Sequence, residues 1–326
     1  MNVMIKKAFT TFAMCLTLST GMAQTSPEPA KVYFTSEISP EALLSIFKAL
    51  GAAPEGNVAV KISTGESAQS NHLRPELIST LVKEVKGTIV ECNTAYGGNR
   101  SNTAVHRRAI EQRGYGEIAT VDIMDEDGSM YLPMRDTTYF KENMVGSHLA
   151  NYDFMINLAH FKGHQMGGFG GVLKNQSIGV ASAEGKALIH TAGLSSDVRK
   201  AFMTPRNGQD GFLESMAGAA QSVHDYFMGK KGIVYINVMN NMSVDCDCNG
   251  HPEKPVLKDM GIVASLDPVA LDQACLDMVF NHKSSESDDS RPLTERINSR
   301  HGTHTVDYAE QIGLGTKKYH IINLDK

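Results

Sequence analysis

The sequence predicts an α/β protein whose mostly parallel sheet is flanked by helices, with a small antiparallel excursion near residues 118–145. Three observations predict it. Short β-branched apolar runs alternate with stretches of helical period, the order that parallel sheets require. Polar and glycine-rich segments follow those runs directly, and ligands bind beyond the carboxyl ends of strands in open α/β sheets. The EDGS and LPMRD turns between Ile118 and Val145 interrupt the rhythm and read as the antiparallel part.

Taken in order, the chain opens on a basic MNVMIKK, an apolar AFTTFAMCLTLST that contains Cys15, and the small residues Gly21-Met22-Ala23. This pattern predicts a secretory signal peptide over residues 1–23, cleaved after Ala23, and export to the periplasm. The apolar segment falls short of the ~20 residues that a membrane span needs. Nothing later is longer, so no span is expected after cleavage. Residues 24–326 are expected to form a single α/β domain.

Strands are predicted at KVYFT (31–35), NVAVKIS (57–63), GTIVECN (87–93), DFMINLAH (153–160), GIVYINV (232–238) and GIVAS (261–265). Helices are predicted over 40–50, 75–86, 101–113, 210–228, 268–281 and 304–312. Ser39-Pro40 and Asp267-Pro268 each set a capping side chain before a proline suited to a first turn. The net charge of -5 comes without any basic stripe, which argues against nucleic-acid binding. KSSESDDS (283–290) reads as a solvated loop.

The run HFKGHQMGGFGGVLKN, His160 to Asn175, holds two histidines, two lysines and five glycines. A core gains nothing from so many glycines, since each costs ordering entropy; a backbone that must come close to something does. His160, Lys162 and His164 are the candidate catalytic groups, with either histidine able to ligate metal or to brace a loop through its backbone. Gly167, Gly168, Gly170 and Gly171 lead into VLKNQSIGVAS, a predicted helix. Such a turn offers N–H groups to an anion, with Lys174 and Asn175 adding polar contacts, or it is simply a tight strand-to-helix turn. Lys61 and Thr64, at the end of another strand, could hold an anion as well.

Four cysteines remain after the leader. Cys246, Cys248 and His251 lie in DCDCNGH, and Cys92 ends a different strand. Two thiolates two apart beside an imidazole suit a soft metal. The same residues could instead form a local disulfide, or one linking Cys92 to Cys246 or Cys248. Cys275 falls on an apolar helical stripe and reads as a core residue. If the strands are parallel, the segments after 57–63, 87–93, 153–160 and 232–238 converge on one edge and share one site.

Several strings together resemble a known family. KVYF, VAVKISTGE, TIVECNTAYGG, VDIMDEDG, YDFMINLAHFKGHQMGGFGGVLKNQSIG, GKALIHTAG, YINVMNNMSVDCDC and DMGIVASLDPVALDQACLD occur in order. They resemble the uncharacterised iron–sulfur centre protein family, a domain of unknown function often found with a ferredoxin module. The resemblance spans about the whole mature chain and implies an α/β domain with a redox or metal association. The matching positions are the His160–Asn175 run, Cys92 and the Cys246/Cys248 pair. Ferredoxin-fused relatives hold clusters through CxxCxxC strings, and this chain has none.

Three functions follow as expectations. One is a metal- or cofactor-dependent redox enzyme on a small anionic substrate, served by an electron-transfer partner. Another is a racemase-like isomerase that moves protons with lysine and histidine. The last is a metal- or anion-binding protein without turnover.

Overall fold

All six expected strands form, and all six meet in one eight-stranded sheet. The protein is described from a computed structural model over residues 28–203, 207–255 and 257–325; the expected signal peptide lies outside these residues. The first half contains β1 (Ala30–Thr35), α1 (Pro40–Ala49), β2 (Val58–Lys61), α2 (Pro75–Glu84), β3 (Thr88–Glu91), α3 (Thr103–Gln112), α4 (Tyr115–Ile118) and β4 (Val121–Ile123). β5 (Ser129–Pro133) and β6 (Glu142–Gly146) follow, then β7 (Phe154–His160), β8 (Lys162–His164) and β9 (Gly168–Gly170). After them come α5 (Val172–Ser177), α6 (Ala183–His190), α7 (Gly208–Met228), β10 (Gly232–Met239) and β11 (Gly261–Ser265). The chain closes with α8 (Pro268–Phe280), α9 (Arg291–Ser299), α10 (His304–Gln311) and β12 (Tyr319–Asn323).

The sheet order is β12-β1-β11-β10-β7-β2-β3-β4. Every neighbouring pair is parallel except the two that involve β11. β5 and β6 form the expected antiparallel excursion as a separate hairpin. β4, in the same stretch, instead joins the main sheet. No helix among the described residues is long and apolar enough to cross a membrane.

β7 is buried at all seven positions because helices cover both faces of the sheet. Its side chains alternate between two cores. Phe154, Ile156 and Leu158 pack with α1 and α2, while Met155 and Ala159 face α7 and α8. Burying one such chain as fully as Leu158 contributes about 1.5–3 kcal/mol, and truncating it to alanine would cost about 2–5. The two predicted caps form: Ser39 Oγ accepts from Ala42 N at 3.1 Å, and Asp267 Oδ1 accepts from Val269 N at 2.9 Å and Ala270 N at 3.0 Å.

β2, β3, β7 and β10 run parallel, so their carboxyl ends share one edge. The loops that leave them meet there, as the strand order requires.

Candidate functional site

At that edge the loops after β2, β3 and β10, together with β8, α5 and α6, enclose a cavity of about 60 Å³. That is room for about four waters at ~15 Å³ each, or for a small ligand. Among its walls are Lys61, Glu91, Tyr96, Arg100, His164, Lys174, Asn175, Lys186, His190, Asp247 and Cys248. Phe202 packs beside the cavity, 5.5 Å from the His190 ring and 6.2 Å from Tyr96.

One wall is an ion network that the sequence did not single out. Arg100, on the loop after β3, lies 2.6 Å from Glu91 and 3.2 Å from Glu66. All three are buried. Glu91 also faces His106 Nε2 at 3.2 Å and accepts from Thr64 N at 3.0 Å. Burial alone would raise the Glu91 carboxyl, but Arg100 and His106 pull it well below the usual carboxylate range. Burial would likewise lower Arg100, and Glu91 outweighs it. Thr64 is fully buried, its amide and hydroxyl both donate to Glu91, and it is not among the walls of the cavity.

A second ion cluster holds the DCDC loop. Asp247 Oδ1 is 2.7 Å from His160 Nδ1, and Lys162 Nζ is 2.9 Å from Oδ2. The Lys162 contact is an ion pair, because its aligned hydrogen bond goes to the His160 carbonyl at 2.7 Å. His160 Nε2 meets the Asn240 carbonyl at 2.5 Å. Both ring nitrogens of His160 are therefore engaged, and neither His160 nor Lys162 lines the cavity. Their contacts instead pin Asp247. Burial would raise the Asp247 carboxyl, but Lys162 and His160 hold it far below its ordinary value.

Other groups line the cavity itself. Lys174, on α5, makes no hydrogen bond or ion pair among the described residues, and its amine borders the cavity. Burial, and then the charge of Lys162, lower it to about 7. Lys61 bonds the Ile62 carbonyl and Asn175 Oδ1 (3.2 Å) and is lowered to about 8, chiefly by burial. Lys186 Nζ bonds only the Ala181 carbonyl, at 2.6 Å. His164 Nδ1 accepts from Gly167 N at 2.8 Å, which keeps its proton on Nε2. Burial and Lys174 push His164 well below the usual imidazole range, so the ring is neutral. His160 and His164, paired by their spacing in the sequence, thus do different things.

The glycines serve packing. Residues 162–170 form the β8–β9 hairpin. A Cβ on Gly163 would sit 2.1 Å from the Val244 carbonyl oxygen. Gly168 has φ +81°, and a Cβ there would lie 2.8 Å from Gly302 Cα. The sequence expectation has Gly167, Gly168, Gly170 and Gly171 present a helix start to an anion or form a tight turn. None of them lines the cavity. The first α5 amides, of Val172 and Leu173, already donate to the Asp272 carboxylate at 3.0 Å each. Asp272 is buried and raised to about 6 by that burial. Asn175, by contrast, lines the cavity and braces Lys61.

Three side-chain groups bring ligand-capable atoms within 4.8 Å of one another: His164 with Cys246 and Cys248, Asp210 with His301 and His304, and Asp122 with Glu126 and His148. The protein therefore has groups that could hold a metal. Cys246 and Cys248 are joined as a disulfide, one of the pairings left open by the sequence. Cys92 and His251 do not join them. The Cys92 thiol donates to the Val180 carbonyl at 3.3 Å and is pushed up by burial, and His251 is exposed. Cys275 is buried beside Asn237. The described cysteines thus gather no four-thiolate set, and the donors do not fit an iron–sulfur cluster.

The chain is similar in fold to the lactate racemase apoprotein from Thermoanaerobacterium thermosaccharolyticum, at 14% identity and a TM-score of 0.44 over 76% of this chain and 56% of that one. It is also similar to a protein from Thermotoga maritima, at 11% identity and a TM-score of 0.42 over 83% of this chain and 58% of that one. It spans a little over half the length of these two structures. No curated protein matches it. Residues 58–277, more than half of the chain, match the family described as Domain of unknown function (DUF362), and the protein belongs to that family.

Proposed function

We propose that this protein is an exported enzyme that moves a proton on a small carboxylate bearing a hydroxyl or carbonyl group. The observation that supports it is Lys174, an amine without a hydrogen-bond or ion-pair partner among the described residues, which lines the cavity and is lowered to about 7. A neutral amine near ambient pH is a competent base. Lys61, Lys186 and Arg100 surround the position where a carboxylate would sit. In this reading Lys174 takes the proton from the carbon next to a carbonyl. His164, with its hydrogen on Nε2, donates to the oxygen on which charge develops.

The test is exchange of solvent deuterium into three- and four-carbon 2-hydroxy and 2-oxo acids, followed by NMR. The reading expects exchange that Lys174→Ala reduces by about 10²–10⁴-fold, the usual contribution of a positioned base. Exchange that is absent, or unaffected by this substitution, overturns it. The Cys246–Cys248 disulfide supports export, because such bonds persist in oxidising compartments.

A second reading rests on His164 lying within 4.8 Å of both sulfurs. Reduction would free two thiolates for a soft metal, giving a metal-dependent redox enzyme with an electron-transfer partner. It requires the His164 proton to leave Nε2 and the Gly167 contact to be remade. Cys246→Ser with Cys248→Ser separates the two, abolishing activity only in the metal reading.

A further inference from the structure

Outside the cavity, four ligand-type side chains meet where α7 passes the turn between α9 and α10. Asp210 and Glu214 lie one helical turn apart on α7, so their carboxylates share a face. His301 and His304 flank the α10 start, their rings stacked at 4.9 Å with planes 16° apart. His301 Nδ1 is 2.7 Å from Asp210 Oδ1, and His304 Nε2 is 2.8 Å from Glu214 Oε1. The donor atoms of Asp210, His301 and His304 lie within 4.8 Å of one another. His301 holds a left-handed φ of 52°, a conformation that costs a non-glycine residue about 1 kcal/mol or more.

We propose that this cluster binds a structural divalent transition-metal ion of the zinc class, with Asp210, His301 and His304 as ligands and Glu214 bracing His304. Two imidazoles and one carboxylate match the nitrogen and oxygen donors that zinc accepts, with water able to complete a four-coordinate shell. The three ligand atoms already converge, so the chain need not refold to take up the ion.

The site also has a purpose in the fold. Gly302, next to His301, packs against Gly168 of β9, and Gln209, next to Asp210, donates to the Met166 and Arg300 carbonyls at 2.7 and 2.8 Å. An ion there would clamp the α9–α10 turn onto α7 and fix the hairpin that carries His164.

Zn²⁺ titrated into chelator-treated mature protein, followed by calorimetry and thermal melting, tests this. The expected result is one ion per chain and a higher melting temperature. Affinity should fall at least tenfold in His304→Ala and in His301→Gln, whose exposed position keeps the fold intact. It should be unchanged in the Cys246→Ser, Cys248→Ser double variant. Absence of saturable binding overturns the assignment. So does binding that survives both histidine substitutions, or that disappears with the cysteines instead.

Discussion

Replacing Asp247 by asparagine keeps the side-chain volume and removes one charge from a buried cluster. Lys162 Nζ stands 2.9 Å from the carboxylate and His160 Nδ1 2.7 Å from it, with all three residues buried. At an effective dielectric of about 20, Coulomb's law gives ~6 kcal/mol for a unit pair at that separation. Desolvation offsets part of this, and removing one partner of a buried pair typically costs about 3–5 kcal/mol because the other charge is stranded. Asp247→Asn should therefore lower the unfolding free energy by about 3–5 kcal/mol at pH 7, measured by urea denaturation. The pH dependence gives a second check. The folded carboxyl lies well below its ordinary value of 3.8, so its contribution is complete above that value and is lost as the pH falls through the folded one. The gap between wild type and variant should close below about pH 4. A loss under 1 kcal/mol at pH 7, or a gap indifferent to acid, would refute the assignment of Asp247 as the pin of this loop.

Lys174→Met should make the protein more stable at pH 7. The folded lysine binds its proton less tightly than the unfolded one, so wild-type stability rises with pH from about 7 to 10.5 and the variant's does not; parallel stability profiles would refute this. In any active assay, kcat/KM should rise with pH through about 7, as Lys174 loses its proton. Gly163→Ala should cost at least about 1–3 kcal/mol, seen as a lower melting temperature, because the new Cβ meets the backbone of Val244 rather than a movable side chain. Converting Cys246 and Cys248 to serine should cost only about 1.6 kcal/mol by the loop-closure relation, since a three-residue loop restricts the unfolded chain little; denaturant unfolding with and without reductant measures it.

The strands were legible because a sheet buried on both faces writes itself as uninterrupted apolar runs, as in DFMINLAH and GIVYINV. The shared edge followed from strand order alone. The polar residues inside those same runs carried a signal that periodicity could not interpret. Asn157 and Asn237 point to one face, where Asn237 donates to Asp272 at 2.7 Å and Asn157 to Gln176 at 2.9 Å. An asparagine in a central strand marks a polar network beneath the site, but only the fold says with what it pairs. The capping of α5 by Asp272 was invisible for the same reason, because the two segments lie 99–100 residues apart. Arg100, Glu91, Lys186 and His190 belong to no spacing motif. Their only mark was position, just past a strand or four apart on a short helix.

The charge around the cavity limits what it can bind. Its two carboxylates are taken: Glu91 by Arg100, and Asp247 by Lys162. That leaves the amines of Lys61, Lys174 and Lys186 without a carboxylate partner among the described residues, the first and last held only by neutral oxygens. Burying an amine without a counter-ion is expensive, and methionine or leucine would fill the same volume at lower cost. A core selected for stability alone would have replaced at least one of them. An anion in the cavity removes the conflict. It supplies the charge that Lys61 and Lys186 lack, since their hydrogen bonds reach only neutral oxygens.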